Sequence, residues 1–173
     1  DGAVLARGQV IVAVGTSEDL RRRIAADPAL APSTTIDARG CVVVPGLVNC
    51  HHHLYQSLTR AVGTGGGMAL FDWLTRLYPV WAGLDPEAVR ISTQVALAEL
   101  MLSGATTVAD HLYLYPNGAR LDDAIDAACA MGVRFHATRG SMSVGQSQGG
   151  LPPDRICEDE RAILADSQRL IDT

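Results

Sequence analysis

Aromatic side chains are scarce. Phe, Trp and Tyr make up 5% of the 173 residues, so Ala, Val and Leu must fill most of any core. Cysteine is nearly as sparse. Cys41, Cys50, Cys129 and Cys157 form no C-x-x-C pair and no disulfide-like rhythm, which reads as reduced thiols in an intracellular, cytoplasmic protein. The chain has no basic stripe, and its net charge of −5 is mild, which argues against a nucleic-acid partner. No run of 18 apolar residues occurs, so no membrane span is expected. The opening Asp1-Gly2 has neither an initiator Met nor a charged-then-apolar leader behind it, and the expectation is a trimmed start or a fragment. The apolar fraction of 47% is enough for a real core, and the length fits one ordinary domain or a domain with an appendage.

Against these absences stands the triplet His51-His52-His53, which follows Pro45-Gly46-Leu47-Val48-Asn49-Cys50. On a strand, residues two apart point to one side, so His51 and His53 converge while His52 and Cys50 face away. Neutral imidazole is the commonest protein ligand for zinc and similar metals, and a metal in a cleft is a Lewis acid that makes water nucleophilic at neutral pH. The alternatives are a polar strand end or a tag-like triplet; the apolar run in front favours ligation.

Residues 1–45 read as a small β-rich module. Gln9–Gly15 is a strand, Glu18–Ala25 a short helix closed by Pro28, and Thr35–Gly40 a turn leading into a second strand, Cys41–Val44. From 46 to 173 strands and helices alternate. Leu47–His51 is a short buried strand and Leu54–Val62 a helix. Gly63-Thr64-Gly65-Gly66-Gly67 reads as a flexible active-site loop, because no Lys-Ser/Thr follows to make it a phosphate loop. Met68–Trp81 is amphipathic. Asp85-Pro86 opens a helix that runs to about Leu102 and stops at Ser103-Gly104. Thr106–Asp110 is a strand, Arg120–Met131 a helix, Val133–Arg139 a strand, and Arg155–Ile171 a final helix. Such alternation implies parallel strands in an α/β fold, whose chemistry sits at the carboxyl ends of the strands. His51, His53, Asp110, His111 and Arg139 all fall at such ends.

Pro45-Gly46-Leu47-Val48-Asn49 leading into His51-x-His53, with Ile36-Asp37-Ala38-Arg39-Gly40 in front, resembles the amidohydrolase superfamily. The stretches His51–Arg60, Asp110–Gly118 and Arg139–Ser147 resemble its aminohydrolase (deaminase) branch, which acts on purines, pterin-like rings and triazines. The resemblance implies a (β/α)8 TIM-like barrel, of which 46–173 would be the N-terminal part with about three strand–helix units. Residues 1–45 would be part of a small β-sandwich. It implies one divalent metal, zinc foremost and iron the alternative, with His51 and His53 as its first two ligands. A third and fourth His, a proton-shuttling Glu and a late Asp, which complete the family's site, have no counterpart here, so no catalytic residue is assigned. The implied activity is hydrolytic deamination of a purine-like ring, 8-oxoguanine above all, with release of ammonia. A related guanine, triazine or adenosine-type substrate is the alternative, as is a fragment that binds metal without turnover. The implied partner is a small nucleobase-like molecule, with a homo-oligomer as an open expectation.

Four further residues, Gln56, Trp73, His111 and Arg139, are candidates for substrate contact, and Asp110 beside His111 reads first as structural. Gln56 lies three residues beyond His53, and its amide both donates and accepts, which suits a lactam or guanine edge; the alternative is a surface helix residue. Trp73 either stacks on a flat ring or belongs to a core face with Leu70 and Leu77. Asp110 and His111 either orient a ligand or cap a loop. Arg139 either meets an oxo group or pairs with a barrel carboxylate. His136, in mid-strand, reads as a satisfied core histidine, and Glu158-Asp159-Glu160 as a solvated helix face.

Overall fold

The computed structural model describes residues 1–60, 62 and 67–173 and resolves them into two compact units, Asp1–Val44 and Pro45–Thr173. The expected loop over 63–66 lies outside the described residues.

In the first unit, β1 (Ala3–Arg7) pairs antiparallel with β2 (Val10–Gly15), with a register shift between Leu5 and Ala6. Helix α1 (Ser17–Ala26) is capped by Thr16, whose side chain accepts from the Asp19 N–H. Leu5, Ala13 and Leu20 form a small core. Strand β1 escapes a pattern reading because its apolar run is short. The expected strand over Cys41–Val44 does not form: Val42, Val43 and Val44 are exposed, Val42 at 86%. β-Branched residues favour a strand only when a partner ladder and a face to pack against exist.

The second unit carries a parallel sheet of three strands, ordered β3 (Leu47–Asn49), β4 (Ala105–Leu112), β5 (Arg134–Arg139). Between β3 and β4 come α2 (Leu70–Trp81) and α3 (Pro86–Leu102); α4 (Leu121–Met131) joins β4 to β5, and α5 (Glu160–Ile171) follows. Helix α3 begins where Asp85 accepts from the Ala88 N–H, with Pro86 at the first helical position. Helix α4 ends on Gly132, whose φ of 71° suits glycine.

Strand β4 is central and, beyond a register shift at Thr106, alternates from Thr107 to Leu112. Val108, Asp110 and Leu112 are buried on one face. Val108 packs with Ala96 and Leu97 of α3 and Ala128 of α4, and Leu112 packs with Leu121 and Ala124 of α4. This face therefore looks toward the helices. Thr107, Ala109 and His111 occupy the other face. Residues paired across a parallel ladder share a face, so Ala137 and Arg139, registered with Asp110 and Leu112, also face the helices. His136 and Thr138 lie with Ala109 and His111. The larger core gathers Tyr55, Leu77, Trp81, Leu112 and Leu114, with Trp81 fully buried.

Two helix expectations are corrected. Leu54–Val62 is a 3₁₀ segment over Leu54–Thr59. The last helix starts at Glu160, five residues later than expected. Asp159 caps it by accepting from Arg161 and Ala162, while Glu158 is drawn to Arg139. Glu158-Asp159-Glu160 is thus a cap and an ion pair rather than only a solvated face.

Candidate metal and substrate site

Strand β3 stops at Asn49, so the histidines sit in the irregular stretch beyond it. The rings of His51 and His53 nevertheless converge, with centroids 5.1 Å apart and planes at 84°. The His53 ring is also 5.5 Å from His111 and 5.3 Å from Tyr113. His53 Nδ1 lies 2.7 Å from the His111 carbonyl oxygen. A carbonyl only accepts, so Nδ1 carries the proton and Nε2 keeps its lone pair. This is the second contact by which proteins orient a metal-binding imidazole. His51 and His53 thus fit two positions of a metal site, with His53 presenting Nε2. No group of three or more His, Cys, Asp or Glu able to hold an ion occurs among the described residues.

The stretch His52-His53-Leu54 is tied to β4 at three points. The His111 N–H donates to the His52 carbonyl at 2.9 Å. His53 Nδ1 donates to the His111 carbonyl, and the Leu54 N–H donates to Asp110 Oδ1 at 2.8 Å. Asp110 is 2% exposed, and burial pushes its carboxyl up to about 6, against the lowering effect of the Leu54 and His111 N–H groups. His111 stands on the opposite face of β4. Burial first, then the neighbouring His53 and His51, hold its imidazole below the usual histidine range. Its ring rests over Gly140: a Cβ there would come within 2.5 Å of His111 Nε2 and 2.6 Å of Tyr113 Cβ.

His52 shares a cleft lining with His53. Its Nδ1 is buried with no hydrogen-bond partner among the described residues, and burial, then His53 and Arg60, keep it below the usual histidine range. A cleft of about 190 Å³ is lined by His53, Gln56 and His52, with Arg60 and Glu99 among its other walls. Gln56 Nε2 donates to the Tyr55 hydroxyl at 3.2 Å. Tyr55, Tyr78 and Tyr113 form a hydroxyl cluster; burial raises all three phenols, Tyr78 to about 12, so they stay protonated and act only through hydrogen bonds.

The remaining candidates separate. Trp73 meets Trp81 edge-on at 5.4 Å and packs against the main core, the core alternative of the sequence reading. Arg139 faces the helices. Its side chain is 8% exposed, with Nη1 2.9 Å from Glu158, Nε 3.2 Å from Asp166 and the guanidinium 4.5 Å above the Tyr115 ring. A substrate role for Arg139 is therefore replaced by the carboxylate pairing, because its parity in β5 turns it away from His111. His136 is corrected in the opposite sense: it is exposed on the face of His111, not buried in a core. Sequence reasoning missed Tyr113. The signal was present, since Tyr113 follows His111 by two residues.

A model of the amidohydrolase family matches residues 42–171. The chain belongs to the amidohydrolase family. It is 47% identical to 8-oxoguanine deaminase of Pseudomonas aeruginosa, over 98% of this chain and 36% of that protein. It is 37% identical to hydroxydechloroatrazine ethylaminohydrolase of a Pseudomonas species, over 79% of this chain and 29% of the relative. The crystal structure of atrazine chlorohydrolase from Arthrobacter aurescens complexed with zinc superposes with a TM-score of 0.81 at 35% identity, covering all of this chain and 38% of that one. Guanine deaminase of Escherichia coli, at 24% identity and a TM-score of 0.78 over 99% of this chain and 37% of its own, shares the fold. The chain thus spans about a third of the length of these relatives.

Proposed function

We propose that this chain carries the first metal-binding half-site of a hydrolytic deaminase acting on a purine-like ring, 8-oxoguanine foremost. The observation that carries the reading is the His51–His53 pair, with the His53 tautomer set by the His111 carbonyl, in a chain 47% identical to an 8-oxoguanine deaminase. His51 and His53 would hold a divalent metal, zinc in the first place; a relative with this fold is solved with zinc. Bound there, the metal supplies a Lewis acid and makes water nucleophilic at neutral pH. The chain's own residues orient the ring. Gln56 shares the cleft with His53, and its amide nitrogen is engaged by Tyr55, which leaves its carbonyl oxygen to accept from an N–H on the substrate edge. Asp110 does not move the proton to departing ammonia, since it lies on the far face of β4 from His111. The reading also takes the strand–helix units of 46–173 as the start of a (β/α)8 barrel and residues 1–45 as part of a β-sandwich.

Ammonia release by the zinc-loaded intact protein from 8-oxoguanine, guanine and a hydroxytriazine tests the substrate. Turnover of 8-oxoguanine above the others is expected, and its absence would overturn the assignment. A second reading, metal binding without turnover, is favoured for the 173 residues alone by the lack of a third ligand among the described residues. Zinc uptake with no ammonia release by this chain is its expected signature.

A further inference from the structure

Asp110 is a buried carboxylate that meets no cation among the described residues; its hydrogen-bond partner is the Leu54 N–H, 2.8 Å from Oδ1. A buried charge without an opposite charge is costly and persists where its hydrogen bonds do something specific. Leu54 directly follows His53, and its side chain is fully buried in the core with Val108 and Ala128. The backbone on the carboxyl side of His53 is therefore anchored twice, through the Leu54 side chain and through its N–H. On the amino side the His52 carbonyl is held by the His111 N–H. Between the two anchors the imidazole can turn only about its own side-chain bonds, and the His111 carbonyl captures Nδ1.

We infer that Asp110 is a positioning residue: by accepting the Leu54 N–H it holds the His52–Leu54 turn against β4, so that His53 stays in the Nδ1–H tautomer with Nε2 presented outward. The inference rests on the reading of His53 as a metal ligand for its purpose, but not for its geometry. Both carboxylate and carboxamide carry an oxygen that accepts the Leu54 N–H, whereas alanine and leucine carry none. The clasp therefore depends on an acceptor at position 110, not on charge.

Histidine-selective ¹⁵N NMR of the metal-free intact protein reads the tautomer of His53, and competition with a chromophoric chelator reads its affinity for zinc. In the wild type His53 is expected as a single Nδ1–H tautomer. Asp110→Asn should keep that tautomer and nearly the wild-type zinc affinity. Asp110→Ala should give mixed tautomers and zinc binding about 10–100-fold weaker, the range found when outer partners of metal-binding histidines are removed. If Asp110→Ala does not fold, Asp110→Leu fills the volume without an acceptor and makes the same comparison. Wild-type tautomer in Asp110→Ala or Asp110→Leu, or mixed tautomers in Asp110→Asn, would overturn the inference. The tautomer comparison needs no metal. It decides the clasp even if the wild type takes up no zinc, an outcome that would overturn the metal reading alone.

Discussion

Replacing Gly140 by alanine puts the packing around His111 under direct test. The φ of Gly140 is not positive, so its backbone suits any residue. In open space the change would stabilise the protein by about 0.4–1 kcal/mol, through a less flexible unfolded chain. Here the new methyl would stand 2.5 Å from His111 Nε2, 2.9 Å from His111 Cδ2 and 2.6 Å from Tyr113 Cβ. Rotating His111 relieves only the two imidazole contacts; Tyr113 Cβ is fixed to its backbone, so that contact is relieved only by a shift of the chain at Gly140. Overpacking of this kind costs about 1–3 kcal/mol. The net expectation is a loss of up to about 2.6 kcal/mol in urea unfolding, the overpacking cost less the unfolded-state gain. Two of the three close atoms belong to the imidazole, so the loss should shrink in a His111→Ala background, with a coupling of about 1 kcal/mol in the double-mutant cycle. A stabilising Gly140→Ala, or an additive cycle, would refute the close approach of His111 to Gly140.

Three further outcomes follow from other parts of the fold. Burial lifts Asp110 from 3.8 to about 6, so the folded protein holds this proton more tightly than the unfolded chain. Stability should therefore fall by about 3 kcal/mol as pH rises from about 4 through 6 and then level off; in metal-free protein Asp110→Asn should remove that slope, and parallel curves would exclude it. Arg139→Gln leaves Glu158 and Asp166 without their shared cation and should cost about 2–3 kcal/mol. Arg139→Lys should restore only part of this, because a lysine cannot meet both Glu158 oxygens at once; full rescue in thermal unfolding would argue against the bidentate pair. Trp81→Ala empties the centre of the main core and should cost about 3–5 kcal/mol, read by denaturant unfolding.

Much of the second unit is legible in the sequence, because its elements carry local signals. Asp85-Pro86 marks the start of α3 and Gly132 the end of α4, and neither depends on distant residues. The failures lie where a tertiary partner decides. Cys41–Val44 has the composition of a strand but pairs with no ladder among the described residues. Helix α5 starts late because Glu158 answers to Arg139 on β5, a partner 19 residues away. At the site, strand alternation predicts the approach of His51 and His53, yet the pair lies in the irregular stretch beyond β3, held by β4, and the tautomer of His53 depends on a carbonyl 58 residues on. For Arg139 the end of a strand suggests the catalytic side, but parity decides: Phe135 and Ala137 share its side of β5, which marks that face as apolar.

The alternation of β4 has a consequence for how this segment tolerates change. Asp110 and His111 are neighbours in the chain with opposite surroundings, one sealed under Leu54 and one beside His53. Their assignment depends on counting along the strand beyond the register shift at Thr106. Deleting or inserting one residue between Thr107 and Ala109, beyond that shift, would exchange them, placing an imidazole in the helix-facing layer and a carboxylate beside the histidine pair. Point substitutions along β4 can be absorbed one at a time. A shift in length there would turn the clasp and the cleft inside out together.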